Sequence, residues 1–137
     1  MSEGVITLEP REIALLAAEA AADKKAADIV VLDVAETLVI TAYFVIATGA
    51  SDRQVSSIAD EIEDQLREKG RVKPIGREGE REGKWVLLDF GDVVVHVFQP
   101  EEREFYRLEK LWSDAPRVEL PASVAGQQVA QPEVAES

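Results

Sequence analysis

The feature that most constrains the fold is a pair of apolar runs separated by a two-residue turn signal. Trp85 to Phe90 and Val93 to Phe98 are rich in β-branched and aromatic side chains, which favour strands. Gly91-Asp92 lies between the runs, and a glycine at the first central position is typical of a type II′ turn. The pattern therefore predicts an antiparallel hairpin with Phe90 opposite Val93.

This register divides the hairpin side chains into two faces, because neighbouring residues of a strand point to opposite sides. One face is wholly apolar and is expected to be core: Val86, Leu88, Phe90, Val93, Val95 and Val97. The other face is mixed: Trp85, Leu87, Asp89, Val94, His96 and Phe98. Two interpretations of the mixed face stay open. Either helices cover it too, with its polar groups hydrogen-bonded at the rim, or it is a partner-binding patch with an aromatic anchor.

The rest of the chain predicts three helices and two further strands from the spacing of its apolar residues. The helices are expected at Leu8 to Lys25 (capped by Thr7), from the capping box Ser51 to Gln54 as far as Gly70, and from Pro100 to Asp114. The strands are expected at Ile29 to Val34 and Tyr43 to Thr48, and the loop of Arg71 to Gly83 leaves room for a short edge strand near Val72 to Ile75. This order predicts an α/β sandwich with a mixed sheet.

The chain is expected to hold one domain, residues 10–116, between an N-terminal extension (residues 1–9) and a disordered tail, Arg117 to Ser137, rich in Pro, Ala, Gln and Ser. There is no cysteine, which excludes disulfides and thiolate metal sites. We see no secretory signal, and no apolar stretch approaches the roughly 20 residues of a membrane helix. A cytoplasmic location without membrane contact is therefore expected.

The charge balance bears on partners. The chain has 27 acidic residues against 15 Lys and Arg, a net charge of −12. Direct DNA binding is not expected, because phosphates repel such a surface. A basic protein partner would be attracted, and its rate of encounter raised. That the acidity simply aids solubility is an equally open interpretation.

Three patterns suggest chemistry, and each has a simpler structural explanation. His96 is the only histidine and has no Cys or Ser near it in sequence, so a structural role is favoured over catalysis. Gly49-Ala50-Ser51 lies where a helix can bind phosphate, but a tight turn and a helix cap explain it. Asp89 and Asp92 are three residues apart across the turn, which does not suit a paired metal site. We expect no catalytic residue, no cofactor and no metal.

Three ordered segments resemble the Iojap, or ribosomal silencing factor, family. They are YFVIATG with SDRQV and IADEIE (Tyr43 to Glu63), EG with WVLLDFGDVVVHVF (ending at Phe98), and REFYRLEKLWSDAP (Arg103 to Pro116). The match spans about Pro10 to Pro116. The chain departs from the family at Ala42, where members commonly carry an acid. If that acid contributes to binding or dimerisation, this chain does it differently.

The resemblance implies a fold similar to nucleotidyltransferases without their catalytic carboxylates, and no enzymatic activity. It implies binding to the large ribosomal subunit through ribosomal protein number fourteen, which blocks joining of the small subunit and represses translation. A role in large-subunit biogenesis and formation of a homodimer are also implied. The contact surface is expected to centre on Trp85, Leu88, Asp89, Phe90 and Asp92, bordered by Tyr106, Glu109 and Trp112.

Two points stay open at this stage. Leu88 and Phe90 belong both to the expected contact surface and to the expected core face, which is a conflict. The alternative functions are a nucleotidyltransferase-like enzyme that uses a metal and a nucleotide at Gly49, Ser51, Asp89 and Asp92, and a general acidic adaptor.

Overall fold

The computed structural model describes residues 8–36, 38, 40–79 and 83–124. Its elements are α1 (Pro10–Asp23), β1 (Ala27–Asp33), β2 (Tyr43–Thr48), α2 (Asp52–Gly70), β3 (Gly76–Glu78), β4 (Trp85–Asp89), β5 (Val93–Phe98), α3 (Pro100–Tyr106) and α4 (Leu108–Leu111). The strands form one sheet in the order β1-β2-β5-β4-β3. β2 and β5 are parallel and the other neighbouring pairs are antiparallel, so the predicted α/β fold with a mixed sheet is confirmed.

The hairpin of β4 and β5 has the predicted register. Val86 lies opposite Val97 and Leu88 opposite Val95, and the Phe90 amide donates to the Val93 carbonyl oxygen at 2.9 Å. All six residues of the predicted apolar face are at most 8% exposed. We call this side of the sheet the core face. Burial of each such side chain contributes about 1.5–3 kcal/mol.

α1 and α2 cover the core face. α1 buries small side chains such as Ala14, Ala17 and Ala21, which let it approach the sheet and α2 closely. α2 buries the predicted stripe of Val55, Ile58, Ala59, Ile62 and Leu66. Among the described residues, no helix is long and apolar enough to cross a membrane.

The start of α2 confirms the predicted cap. The Ser51 hydroxyl accepts from the Gln54 amide at 3.1 Å, and the Gln54 side-chain oxygen accepts from the Ala50 amide at 2.6 Å. The Gln54 side chain also donates to the carbonyl oxygens of Lys24 and Lys25, at 3.0 and 3.3 Å. The cap therefore also joins the start of α2 to the end of α1. The predicted cap of α1, Thr7, lies outside the described residues; α1 begins at Pro10, with Glu9 and Glu12 forming a capping box.

α2 reaches Gly70 as predicted, but the glycine is not the residue that ends it. Gly70 belongs to the helix, and the left-handed residue that ends it is Arg71, with φ 56°. A Cβ atom on Gly70 would lie 2.5 Å from Leu8 Cδ1. The glycine therefore permits a close contact with the chain before α1 instead of ending α2.

The short edge strand is β3, a few residues later than the predicted Val72 to Ile75. The side chain of its central residue, Arg77, reaches α2 and pairs with Asp60 at 2.9 Å and Glu63 at 2.7 Å. These ion pairs connect the edge strand β3 to α2. They cannot be predicted from the spacing of apolar residues in the sequence.

The prediction of one helix from Pro100 to Asp114 is wrong. Arg107 is left-handed, with φ 49°, and separates α3 from α4. The apolar residues of this segment consequently do not share one face. Leu108 and Trp112 are half-buried against the sheet, whereas Phe105 and Leu111 are 77% and 71% exposed.

The packed part of the chain continues past the predicted boundary at Pro116. The Val118 amide donates to the Val31 carbonyl oxygen at 2.8 Å, and Val118 and Val124 are buried. β1 is an edge strand, and this segment occupies part of its free backbone groups. The rest of the predicted tail, residues 125–137, lies outside the described residues.

Candidate functional site

The second face of the sheet, opposite the core face, is divided into two halves. Phe44, Ile46, His96 and Phe98 form the covered half, which lies buried with Leu108 and Trp112 packed nearby. Trp85, Leu87, Asp89 and Val94 are only half-buried. With Tyr106, which is 43% exposed, they form what we call the open patch. Burial of the mixed face is therefore confirmed for the covered half, and the open patch is the part that stays accessible.

An aromatic cluster joins the two halves. The ring centroids of Trp85 lie 4.8 Å from Phe98 and 4.5 Å from Tyr106, and those of Phe44 lie 5.1 Å from His96 and 5.7 Å from Trp112. Pairs at such distances contribute about 0.5–1.5 kcal/mol each beyond their burial. The cluster holds Trp85 in a fixed orientation at the border of the open patch.

His96 fixes Trp85 further. The Trp85 indole N–H donates to His96 Nδ1 at 3.1 Å, so the neutral imidazole carries its proton on Nε2. Nε2 is buried and has no hydrogen-bond partner among the described residues. Burial lowers the pKa of His96 to about 4, so the ring is neutral at physiological pH. His96 therefore orients Trp85, which leaves the indole ring but not its N–H for a partner.

Asp89 and Asp92 lie at the hairpin turn with different surroundings. Asp89 Oδ1 accepts from the Gly91 amide at 2.8 Å, which stabilises the turn, where Gly91 has φ 89°. Asp92 is exposed, and its carbonyl oxygen accepts from the amides of Ala42 and Tyr43 at 2.8 and 3.0 Å. Ala42, the position at which the resemblance predicts an acid, therefore lies beside this turn. Asp89 itself is half-buried at the edge of the open patch.

Leu88 and Phe90 lie on the core face, 0% and 8% exposed. Neither offers a surface to a partner in this structure. Both side chains pack in the core beneath the hairpin. They therefore belong to the core face and not to the expected contact surface.

The three residues predicted at the border of the site have separate roles. Tyr106 stacks on Trp85 in the open patch, and Trp112 packs edge-on against Phe44 in the covered half. Glu109 accepts two hydrogen bonds from the Arg103 guanidinium, at 3.0 and 2.7 Å. The hydrogen bond from Arg103 lowers the pKa of Glu109.

Arg103 was not singled out from the sequence, although it organises this corner. Besides the two bonds to Glu109 it donates to the Thr48 hydroxyl at 2.7 Å. The guanidinium thus joins α3, the helix that carries Tyr106, to α4 and to the end of β2. An Arg and a Glu six positions apart across a helix break give no recognisable sequence signal.

A cleft of about 380 Å³ adjoins the open patch and adds Glu78 and Glu102 to its surroundings. Leu87, Tyr106 and Trp85 line the same cleft, as does Lys84. Neither glutamate belongs to a sequence pattern that indicates a role. They make the border of the open patch predominantly acidic.

The residues of the alternative enzyme site are not brought together. Thr48, which precedes Gly49 and Ser51, lies level with Phe98 of β5, whereas Asp89 lies level with Val94. Four positions along a strand span about 13 Å, so the two groups lie at opposite ends of the sheet. Among the described residues, no group of three or more His, Asp or Glu side chains is placed to hold a metal ion.

Comparison with known proteins relates the chain to one family. The family model described as "Ribosomal silencing factor during starvation" matches residues 7–137. A Bacillus subtilis protein named "Ribosomal silencing factor RsfS" is 49% identical over 114 residues, which cover 82% of this chain and 95% of that protein. The maize protein named "Protein Iojap, chloroplastic" is 40% identical over 104 residues, covering 76% of this chain and 45% of the maize protein.

A solved structure has the same fold. The crystal structure of a Chromobacterium violaceum protein is 43% identical in sequence and superposes with a TM-score of 0.75. The match covers 77% of this chain and 88% of that one. The sequence resemblance to the Iojap family is thereby confirmed.

Proposed function

Because the chain belongs to the ribosomal silencing factor family, we propose that it binds the large ribosomal subunit through ribosomal protein number fourteen and thereby blocks joining of the small subunit. The observation that carries this proposal is the open patch. It combines an immobilised Trp85 with Leu87 and Tyr106 beside the carboxylate of Asp89. A rigid aromatic anchor surrounded by polar groups is the usual composition of an interface hot spot.

The charge of the chain supports a basic ribosomal partner. Net charge is −12, and Asp89, Glu78 and Glu102 concentrate acid around the open patch. Complementary charge raises the rate of encounter and orients the two surfaces. The Asp89 carboxylate would accept hydrogen bonds from a Lys or Arg of the partner.

The proposed mechanism is steric exclusion without catalysis. Bound protein occupies a surface that the small subunit needs, so the repression of translation depends on affinity and abundance. Action on ribosomes would take place in the cytoplasm, and binding before subunit joining also suits a role in large-subunit assembly. The separation of Asp89 from Ser51 by the length of the sheet argues against the nucleotidyltransferase-like alternative.

The test is co-sedimentation with purified large subunits, with and without small subunits. Asp89→Asn retains an acceptor for the Gly91 amide and removes the charge, and Asp89→Arg reverses the charge. Asp64→Arg, on the exposed side of α2, is the matched control for charge reversal. Wild type and Asp64→Arg are expected to pellet with large subunits and to reduce subunit association. Asp89→Asn is expected to bind about tenfold more weakly, and Asp89→Arg to bind more weakly still.

Two results would count against the proposal. If wild type does not bind large subunits at moderate salt, the proposed function fails. If all variants bind and silence like wild type, the function stands but the open patch is not the contact surface. Retained folding of each variant is checked by its thermal midpoint.

Self-association is a further part of the proposal. Phe105 and Leu111 project from the α3–α4 segment and supply exposed apolar area that a second copy can cover. Sedimentation equilibrium over a range of concentrations should show a dimer that Phe105→Ser with Leu111→Ser abolishes. A wild-type chain that stays monomeric at high concentration would refute it.

A further inference from the structure

A second cavity lies away from the open patch, outside the carboxyl ends of the parallel strands. It has a volume of about 600 Å³. Thr48 at the end of β2 lines it, together with Pro100, which follows β5, and the end of α1 and start of β1 contribute Lys25 and Asp28. Binding sites for drug-sized and cofactor-sized molecules commonly have volumes of 300–1,000 Å³.

The topology around this cavity is of a kind that forms binding crevices. β2 and β5 are parallel neighbours with their carboxyl ends at the same edge. From β2 the chain enters α2 on the core face, and from β5 it enters α3, whose Tyr106 packs on the second face. Adjacent parallel strands whose connections leave to opposite faces open a crevice between them, and ligands of α/β proteins bind at such points.

The cavity is locally basic on a strongly acidic chain. Four cationic side chains line it, against three carboxylates. Arg103 is paired with Glu109, and Arg107 with Glu104 at 2.9 Å. Lys25 and Lys110 form no ion pair with any residue that the structure describes. Of the three carboxylates in the lining, only Asp28 lies outside the two arginine pairs. Two cationic groups are therefore free to meet an anion.

The backbone of the lining is unusual as well. Lys25, Asp28 and Arg107 have φ values of 64°, 50° and 49°. They are three of the four non-glycine residues with positive φ in the described part of the chain. This conformation is costly for residues with a Cβ atom and occurs preferentially at ligand-binding and catalytic sites.

We propose that this cavity binds a small phosphorylated ligand of nucleotide size. Lys25 and Lys110 would contact the phosphate groups, with Arg107 beside them. The proposal rests on the side chains and not on the N-terminus of α2, because the Ala50 and Gln54 amides already donate to the cap. The phosphates of RNA have the same chemistry, but the net charge of −12 disfavours binding of a polyanionic strand. The occupant of the cavity is therefore assigned as a small ligand.

The test is calorimetric titration of the full chain at low ionic strength. The probes are inorganic pyrophosphate, ATP and GTP without metal, and a short single-stranded RNA. The test variant is Lys25→Gln with Lys110→Gln. Its matched control is Lys69→Gln with Lys73→Gln, which removes the same charge outside the cavity. Amide chemical shifts of Ala27, Thr48 and Ala50 localise the binding, since all three residues line the cavity.

The expected result is binding of a nucleotide or pyrophosphate to wild type and to the control, weakened at least about tenfold in the test variant. The three amide shifts should move with the same titration. No binding of any probe at millimolar concentration overturns the proposal, as does equal weakening in test variant and control. Binding of RNA without binding of any small probe also overturns it. No ribosome takes part, so the outcome is independent of the proposed silencing function.

Discussion

The two faces of the sheet are built in different ways, although the same strands supply both. The core face is apolar along β2, β4 and β5 and lies under two long helices, α1 and α2. The second face is covered by the short, broken α3–α4 segment, so half of it stays open. The core face therefore provides stability, while the second face holds a few large side chains in place at a surface. Four predictions test whether stability and binding really separate in this way.

The largest effect is expected on the core face. Leu88 is fully buried, so Leu88→Ala should lower the free energy of unfolding by about 4 kcal/mol, through lost burial and the cavity left behind. Its chain neighbour Leu87 is half-buried on the open patch, and Leu87→Ala should cost about 1 kcal/mol or less. Urea denaturation measures both.

The effects on affinity should have the opposite order when only the folded fraction of each variant is considered. Leu87→Ala is expected to weaken binding to the large subunit while it stays folded. The fraction of Leu88→Ala that remains folded should bind like wild type. Equal unfolding costs for the two variants would contradict the division between the faces.

The covered half should make stability depend on pH. The pKa of His96 is about 4 in the folded protein against 6.5 for an exposed histidine. The unfolded chain therefore binds the extra proton between these values, and stability is fully present above about pH 6.5 and lost as the pH falls towards 4. Protonation of this one group should lower the free energy of unfolding by about 3 kcal/mol between pH 6.5 and 4.

The control is His96→Gln, which retains a side-chain acceptor for the Trp85 indole N–H but does not titrate. Urea unfolding between pH 4 and 7 should show a steeper loss of stability for wild type than for this variant. Parallel pH profiles would mean that the His96 ring is not buried in the neutral form.

The third prediction concerns how Trp85 acts in binding. If the ring is the anchor and its N–H is used internally by His96, Trp85→Ala should weaken binding to the large subunit by about 2 kcal/mol. Trp85→Phe should bind within a few-fold of wild type, because the exposed ring face is retained. Competition binding against labelled wild type measures both. A Phe variant as weak as the Ala variant would show that the indole itself contacts the partner.

The sequence predicts the core face well because its causes are local. Alternation around Gly91-Asp92 determines the register of the hairpin, and the Ser51 and Gln54 side chains act within one turn of their own helix. These features need no knowledge of distant residues, so the pattern alone was sufficient. The mixed α/β sheet followed from the order of helices and strands, whereas the strand order β1-β2-β5-β4-β3 was not predicted.

The second face was less predictable because it depends on contacts across long sequence separations. Arg103 donates to Thr48, which lies 55 positions away in the sequence. The left-handed conformation of Arg107, which breaks the last helix, cannot be predicted from the spacing of apolar residues. Leu88 and Phe90 were included in the expected contact surface because a family motif marks a stretch of chain, whereas a strand shows only alternate residues to a partner.

The smallest effect is expected at Arg103, which joins the two halves of the second face without lying in either. Arg103→Lys removes the two-pronged contact with Glu109 and should lower stability by about 1–2 kcal/mol. Glu109→Gln should cost a similar amount, and the double variant less than the sum of the two, because both changes break one interaction. Binding to the large subunit should weaken slightly in all three, since α3 then holds Tyr106 less firmly against Trp85. Additive stability losses with unchanged binding would mean that this ion pair is a surface contact, and that the position of the open patch is determined by the aromatic cluster alone.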